Sequence, residues 1–245
     1  MALTKRISIL FGLFALSYAT IASTQATAAD RVVTFGKLPQ LAESKDKGIL
    51  VNMVKELDKA MGGTSEIGVF PFPRSVDNVT SGKAAYHLPE LEDPKTDPAS
   101  LPFDLSEAKF FEVPFVLYSN KGKNFTVKDL AGKKIETSAA HVRYFKFKIG
   151  GSSCFECSLK KVDAGRIDGF IFAMWEMDGL IKKNKLKNIK RELYQMFDVR
   201  AILPKGQRGG ATDKYLTEGV AKLTASGDYA KLMGPLLKGY VEWQP

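Results

Sequence analysis

The side chains able to do chemistry are few and scattered. His87 and His141 are the two histidines of the chain, and Cys154 and Cys157 its two cysteines. Histidine changes charge near neutrality and ligates metals. No third ligand stands at recognisable spacing to either His, so neither a metal nor another cofactor is expected. The Cys-Phe-Glu-Cys stretch can close a local disulfide in an oxidising compartment. Thiol exchange is the other use of such a pair. It lacks the preceding strand and following helix of a thioredoxin-like motif, which favours a structural staple from Cys154 to Cys157. Arg74 and Arg143 can each clamp a carboxylate or phosphate through two hydrogen bonds. Arg74 is equally readable as a surface residue at a helix start, and Arg143 as facing either a cleft or solvent. Thr137 and Ser138 suit an anion cradle, with helix capping by Ser138 as the plainer reading. Phe72, Tyr86, Tyr118 and Trp175 can stack on a planar ligand or pack between lobes.

These residues matter only if the elements that carry them converge. Arg31 to Phe35 reads as a strand, Gly48 to Met61 as an amphipathic helix closed by Gly62-Gly63, and Ile67 to Phe70 as a second strand before the Pro71-Phe72-Pro73 turn. A helix from Arg74 to Gly82 and a short strand from Ala84 to Leu88 follow. This β-α-β-α-β order predicts a parallel sheet with helices on its faces. Pro89 to Leu105 reads as loop, and Phe110 to Ser119 as a long β-prone run. Beyond it the pattern predicts a strand at 134–136, helices at 140–147 and 159–164, a buried strand at 168–172, a helix at 175–183 and a strand at 199–203. Helices at 212–226 and 229–239 close the chain. Ligands of such sheets sit outside the carboxyl ends of the strands. That rule nominates Gly36 and Lys37, Phe72 and Arg74, Tyr86 to Leu88 with His87 as a hydrogen-bonder, Thr137 to Arg143, and Ala173 to Glu176.

Lys5 and Arg6, the apolar run from Ile7 to about Leu16 and the small residues Ala22 to Ala29 have the order of a cleavable signal peptide over 1–29. The run is too short to span a bilayer, which takes roughly 20 apolar residues. Hydrophobic residues make up 44% of the 245 and charged ones 26%, which excludes disorder as a class. The formal charge of +9 falls to +7 without Lys5 and Arg6. Export argues against a nucleic-acid partner for that charge. The basic run Lys182, Lys183, Lys185, Lys187, Lys190 and Arg191 reads as a solvated helix face.

Six stretches in order resemble the family 3 extracellular solute-binding proteins, the polar amino-acid type of periplasmic binding protein. They are 48–57, 74–84, 110–121, 127–135, 162–170 (Val-Asp-Ala-Gly-Arg-Ile-Asp-Gly-Phe) and 201–206. The resemblance implies an α/β, two-lobed type II fold, each lobe a mixed sheet flanked by helices. Lobe one would span 30–118 and 204–245, lobe two 119–203, with two hinge strands near Tyr118 and Leu203. It further implies a periplasmic monomer that closes on a small molecule and hands it to an ABC-type transporter permease or to a sensor receptor. Amino-acid binders of the family carry an Arg just before the crossing strand for the α-carboxylate and an aspartate for the α-ammonium. No Arg occurs between Arg74 and Arg143, and Ala173 stands where that aspartate would be. A zwitterion's charges would then be desolvated without partners, so the ligand is expected among planar or anionic molecules. Glu176 and Asp178 are the carboxylates near enough in sequence to substitute. Two other readings remain: an enzyme on the same fold, resembling the cyclohexadienyl dehydratases, with His87, His141 and Glu176 as acid or base; and a redox or interaction protein using the cysteines or the basic run.

Overall fold

The computed structural model describes residues 31–245; the signal peptide expected over 1–29 lies outside the described residues. Strand β1 (Arg31–Gly36) pairs in parallel with β2 (Ser65–Phe70) on one side and β3 (Tyr86–Glu92) on the other. Two long strands, β4 (Phe103–Asn120) and β8 (Ile189–Pro204), then run antiparallel to each other through the molecule. Beyond β4 lie β7 (Gly169–Ala173), β5 (Ile135–Ser138) and β6 (Gly150–Ser152), so the order is β2-β1-β3-β8-β4-β7-β5-β6. The sheet thus has two parallel halves, each fed by its own helices, stitched together by a central antiparallel pair.

Sequence explains the helices on the first half. In α1 (Ile49–Met61), Leu50, Val51, Met53, Val54 and Leu57 recur at helical spacing and are buried, and Gly62 ends the helix in the left-handed conformation at φ 69°. Helix α5 (Ala211–Ser226) packs on it so closely that a Cβ on Gly219 would lie 2.6 Å from Leu57 Cγ. Helix α2 (Phe72–Thr80) covers β1 from the other side, anchored by Val79. On the second half, α3 (Phe155–Asp163) and α4 (Met174–Asn184) flank β7, whose Phe170, Ile171 and Phe172 are buried. Each such side chain contributes about 1.5–3 kcal/mol relative to exposure.

Several elements differ from the sequence expectations. Strand β3 begins at Tyr86 and continues through Pro89 to Glu92, because the register shifts between His87 and Glu90 and a proline without an N–H fits such a bulge. Strand β4 opens at Phe103 inside the segment read as loop. Residues 139–144 wind as a 3-10 helix. The basic run is not one helix face: α4 stops where Lys185 adopts φ 52°, and Lys190 and Arg191 belong to β8. Arg191 is buried because both oxygens of Asp178 take its guanidinium at 2.8 Å. The last helix, α6 (Asp228–Met233), is short, and the chain then returns to the second half. There Arg191 Nη1 donates to the carbonyls of Val241 (3.1 Å) and Trp243 (2.9 Å), and Trp243 Nε1 donates to Asp178 at 3.1 Å. Residues 204–245 therefore do not all sit with the first half. Among the described residues no helix is long and apolar enough to cross a membrane.

Candidate functional site

The carboxyl ends of β1 and β7 face one another across a cleft. After β1 the chain makes a tight loop over 37–48, closed by Gly48 at φ 143°, where a Cβ would lie 2.3 Å from the Leu41 carbonyl oxygen. Only glycine fits there. Gln40 in the same loop holds a left-handed φ of 62°, secured by its N–H to Glu43 (3.2 Å) and by its carbonyl accepting from Ile49 N–H at 2.9 Å. The loop thereby presents Leu38, Gln40 and Leu41 to the cleft. Strand β7 ends at Ala173 and α4 starts at once, which places Trp175 and Glu176 on its first turn against the opposite wall. Phe111, Val113 and Phe115 of β4 and Val199 of β8 form the floor. The cleft is narrow and partly open to solvent, enclosing about 50 Å³.

Its walls are apolar, and three of its lining residues each hold a buried polar atom without a hydrogen-bond partner: His141 Nδ1, Trp175 Nε1 and Glu176 Oε2. His141 is packed among the rings of Phe172 (5.1 Å), Tyr144 (5.6 Å), Phe72 (5.7 Å) and Phe115 (6.0 Å). Burial first, and Arg143 second, bring its pKa down to about 3, so its ring is neutral. Burial pushes Glu176 up to about 8, with no cation to offset it.

Phe72 backs the cleft, its ring edge-on to His87 at 4.9 Å and wedged over Gly36. His87 is spent on structure: Nδ1 lies 2.6 Å from Ser75 Oγ, Nε2 lies 3.2 Å from the Pro89 carbonyl, and burial brings its pKa down to about 3. Tyr86 is buried at the amino end of β3, away from the cleft, where burial and then Asp58 raise its phenol's pKa. Tyr118 donates to Asp178 at 2.8 Å. The Thr137 hydroxyl donates to the Ile171 carbonyl at 2.7 Å, and Ser138 precedes a 3-10 helix without capping it through its side chain. Arg74 is exposed on α2, 5.9 Å from the Phe70 ring. Arg143 reaches across to Glu90 at 2.7 Å, beside a second, more polar pocket of about 320 Å³. Neither arginine lines the cleft, so the expectation of an anion met there by Arg74 and Arg143 is corrected: one stays in solvent and the other is hydrogen-bonded to Glu90. Cys154 and Cys157 are joined in a disulfide that starts α3, where Cys154 Sγ also accepts the Cys157 N–H; β6 ends just before it, so the expectation that the pair lacks a preceding strand and a following helix is corrected. Among the described residues, no three His, Cys, Asp or Glu side chains gather as a metal site.

Gln40 and the β4 residues Phe111 and Phe115 were not among the predicted site residues. Gln40 has no local signal, and the two phenylalanines read as ordinary strand core. Of the two carboxylates near enough to substitute for the family's aspartate, Glu176 lines the cleft and Asp178 is consumed by Arg191.

No protein-family model and no curated protein matches the sequence. Solved structures do match in shape. The ligand-binding core of GluR0 from Nostoc punctiforme, in complex with L-glutamate, has a TM-score of 0.69 at 15% identity, covering 85% of this chain and all of that one. The arginine-, lysine-, histidine-binding protein ArtJ from Geobacillus stearothermophilus has a TM-score of 0.67 at 18% identity, covering 87% of this chain and 97% of its own. A histidine kinase sensor domain with similarity to periplasmic binding proteins gives 0.67 at 17% identity, over 86% and 96%. The chain has the periplasmic binding protein type II fold, and the cleft described above lies between its two halves.

Proposed function

We propose that the protein is an exported solute-binding protein that captures a small molecule between lobes spanning 30–118 with 204–240, and 119–203 with the last residues of the tail. The observation that carries this reading is the cleft itself, apolar and bounded by both halves, with His141 Nδ1, Trp175 Nε1 and Glu176 Oε2 desolvated and unpartnered. Buried polar atoms are ordinarily paired, and a ligand would supply the partners. His141, Trp175, Glu176, Gln40, Phe115 and Phe172 are the contact residues, with Phe72 behind them. Closure would be a population shift driven by contacts made only in the closed form. The loaded monomer would then dock on an ABC-type permease or a sensor receptor; similar folds include both a binding protein named for its amino acids and a kinase sensor domain.

The test is a thermal-shift screen of metabolites with small-angle scattering on each hit. A ligand that binds the native state alone raises the midpoint and shrinks the particle. The absence of any stabilising compound across a broad library, with unchanged scattering, would end this reading. An enzymatic reading keeps one supporting observation, the unpartnered Glu176 and His141 in a single cleft, and predicts turnover of a hit that Glu176→Gln abolishes.

A further inference from the structure

We infer that the cleft takes a small organic cation, an amine with an apolar body and no carboxylate group. The inference rests on the solute-binding reading above and names the chemistry of its ligand. Glu176 is the only charged side chain that lines the cleft among the described residues, and no Lys or Arg accompanies it. A carboxylate or phosphate ligand would therefore lose its hydration and gain no counter-charge, a cost that such sites do not carry.

The walls select in the same direction. Phe111 and Trp175 stand 6.0 Å apart, and Phe115 and Phe172 5.4 Å apart, so aromatic rings line both the floor and the side of the space. Aromatic faces attract a cation most where water is excluded. Two of the three unpartnered atoms are acceptors for an ammonium N–H: Glu176 Oε2, and His141 Nδ1 in the tautomer that leaves it unprotonated. Burial already disfavours a positive ring at His141, so it would not repel the ligand. The third atom, Trp175 Nε1, is a donor and suits a hydroxyl or ether oxygen on the ligand body.

Without ligand the desolvated Glu176 holds its proton near neutral pH. When an ammonium enters, the carboxyl O–H proton passes to solvent, the carboxylate forms, and one ion pair replaces one neutral acid. Amine affinity must then rise with pH until Glu176 is ionised in the free protein, whereas a neutral ligand gains nothing from that rise.

The test is isothermal titration of the purified chain with 2-phenylethylamine, 2-phenylethanol and phenylalanine, at pH 6 and pH 8, each in two buffers of different ionisation enthalpy. The expected result is amine binding at least about tenfold tighter than the alcohol at pH 8, tightening from pH 6 to pH 8 with proton release. Glu176→Gln is expected to bring the amine down to the level of the alcohol, with a folded spectrum by circular dichroism. Equal or tighter binding of the alcohol or of phenylalanine would overturn the inference, as would amine binding with no proton release or no detectable amine binding. A neutral or anionic compound that alone stabilises the chain in the thermal screen would overturn the cation while leaving solute capture intact; a screen empty in every class would remove both.

Discussion

Glu90 and Arg143 join the two halves of the sheet: Nη2 of Arg143, on the 3-10 helix after β5, lies 2.7 Å from Oε1 of Glu90 in β3. The Glu90 side chain is 1% exposed and that of Arg143 is 50% exposed. Tyr144 adds its hydroxyl to the same carboxylate oxygen. The contact bridges the two halves, so under the proposed capture by closure it would belong to the closed form. Arg143→Ala should increase the population of open molecules, seen as a larger radius of gyration by scattering. Because the arginine is half in water, the stability loss should be modest, about 1 kcal/mol by urea unfolding.

Asp178 and Arg191 form the opposite case, an ion pair largely out of water, with the Arg191 side chain 0% and Asp178 14% exposed. Asp178→Ala would leave a buried guanidinium with only the tail carbonyls, Trp243 would lose its acceptor, and Tyr118 would keep only the Met174 carbonyl at 3.3 Å. Loss of about 3–5 kcal/mol is expected in the same unfolding experiment. A loss below 1 kcal/mol would contradict the geometry.

Stability should peak on the acid side of neutrality. Glu90, pushed up to about 7 by burial against the pull of Arg143, and Glu176, at about 8, keep protons in the native state that an unfolded carboxyl with pKa 4.5 has lost. The folded chain therefore binds more protons between pH 4.5 and 8, and stability falls as pH rises through that window. His87 and His141, at about 3 against 6.5, act in reverse: the unfolded chain takes the protons, so stability rises with pH between 3 and 6.5. Glu176→Gln should flatten the decline above pH 6.5, the window in which only the carboxyls act, as checked by urea midpoints at pH 6.5 and 9.

Gly48→Ala tests the loop that builds the near wall of the cleft. At φ 143° and ψ 151° the backbone sits where side chains are excluded, and the new Cβ would meet the Leu41 carbonyl oxygen. A destabilisation of about 1–3 kcal/mol is expected, accompanied by weaker binding of any ligand, because Leu38, Gln40 and Leu41 would shift.

How far the chain could be read from its residues depended on whether a segment's neighbours are local. Strands β1 and β7 are short apolar runs and were readable directly; α1 announces itself by its spacing and its glycine stop. The amino-terminal half of β8 was not readable, because Ile-Lys-Arg-Glu-Leu looks solvated until Asp178, thirteen residues earlier, is seen to neutralise Arg191. Strand β3 was cut short for a similar reason: Pro89 reads as a breaker unless a bulge receives it. For the site, the strand-end rule nominated Ala173 to Glu176 after β7, a segment that lines the cleft, but stopped at Gly36 and Lys37 after β1, just short of the lining residues 38–41. It could not rank Glu176 above Asp178, or show that Arg143 is already engaged by Glu90. Those outcomes are set by partners far along the chain, and spacing carries no trace of them.

The chain contains two tryptophans, and they occupy different stations. Trp175 stands in the cleft, its indole N–H without a partner, while Trp243 is half-buried in the returning tail, hydrogen-bonded to Asp178 with the Arg191 guanidinium 4.5 Å from its ring. Their emission should therefore separate into two optical signals. Trp243→Phe would leave a fluorophore that reports the contents of the cleft, and Trp175→Phe one that reports the surroundings of the tail. Together the two single-tryptophan forms would show, in one stopped-flow trace each, whether filling the cleft is felt at the tail.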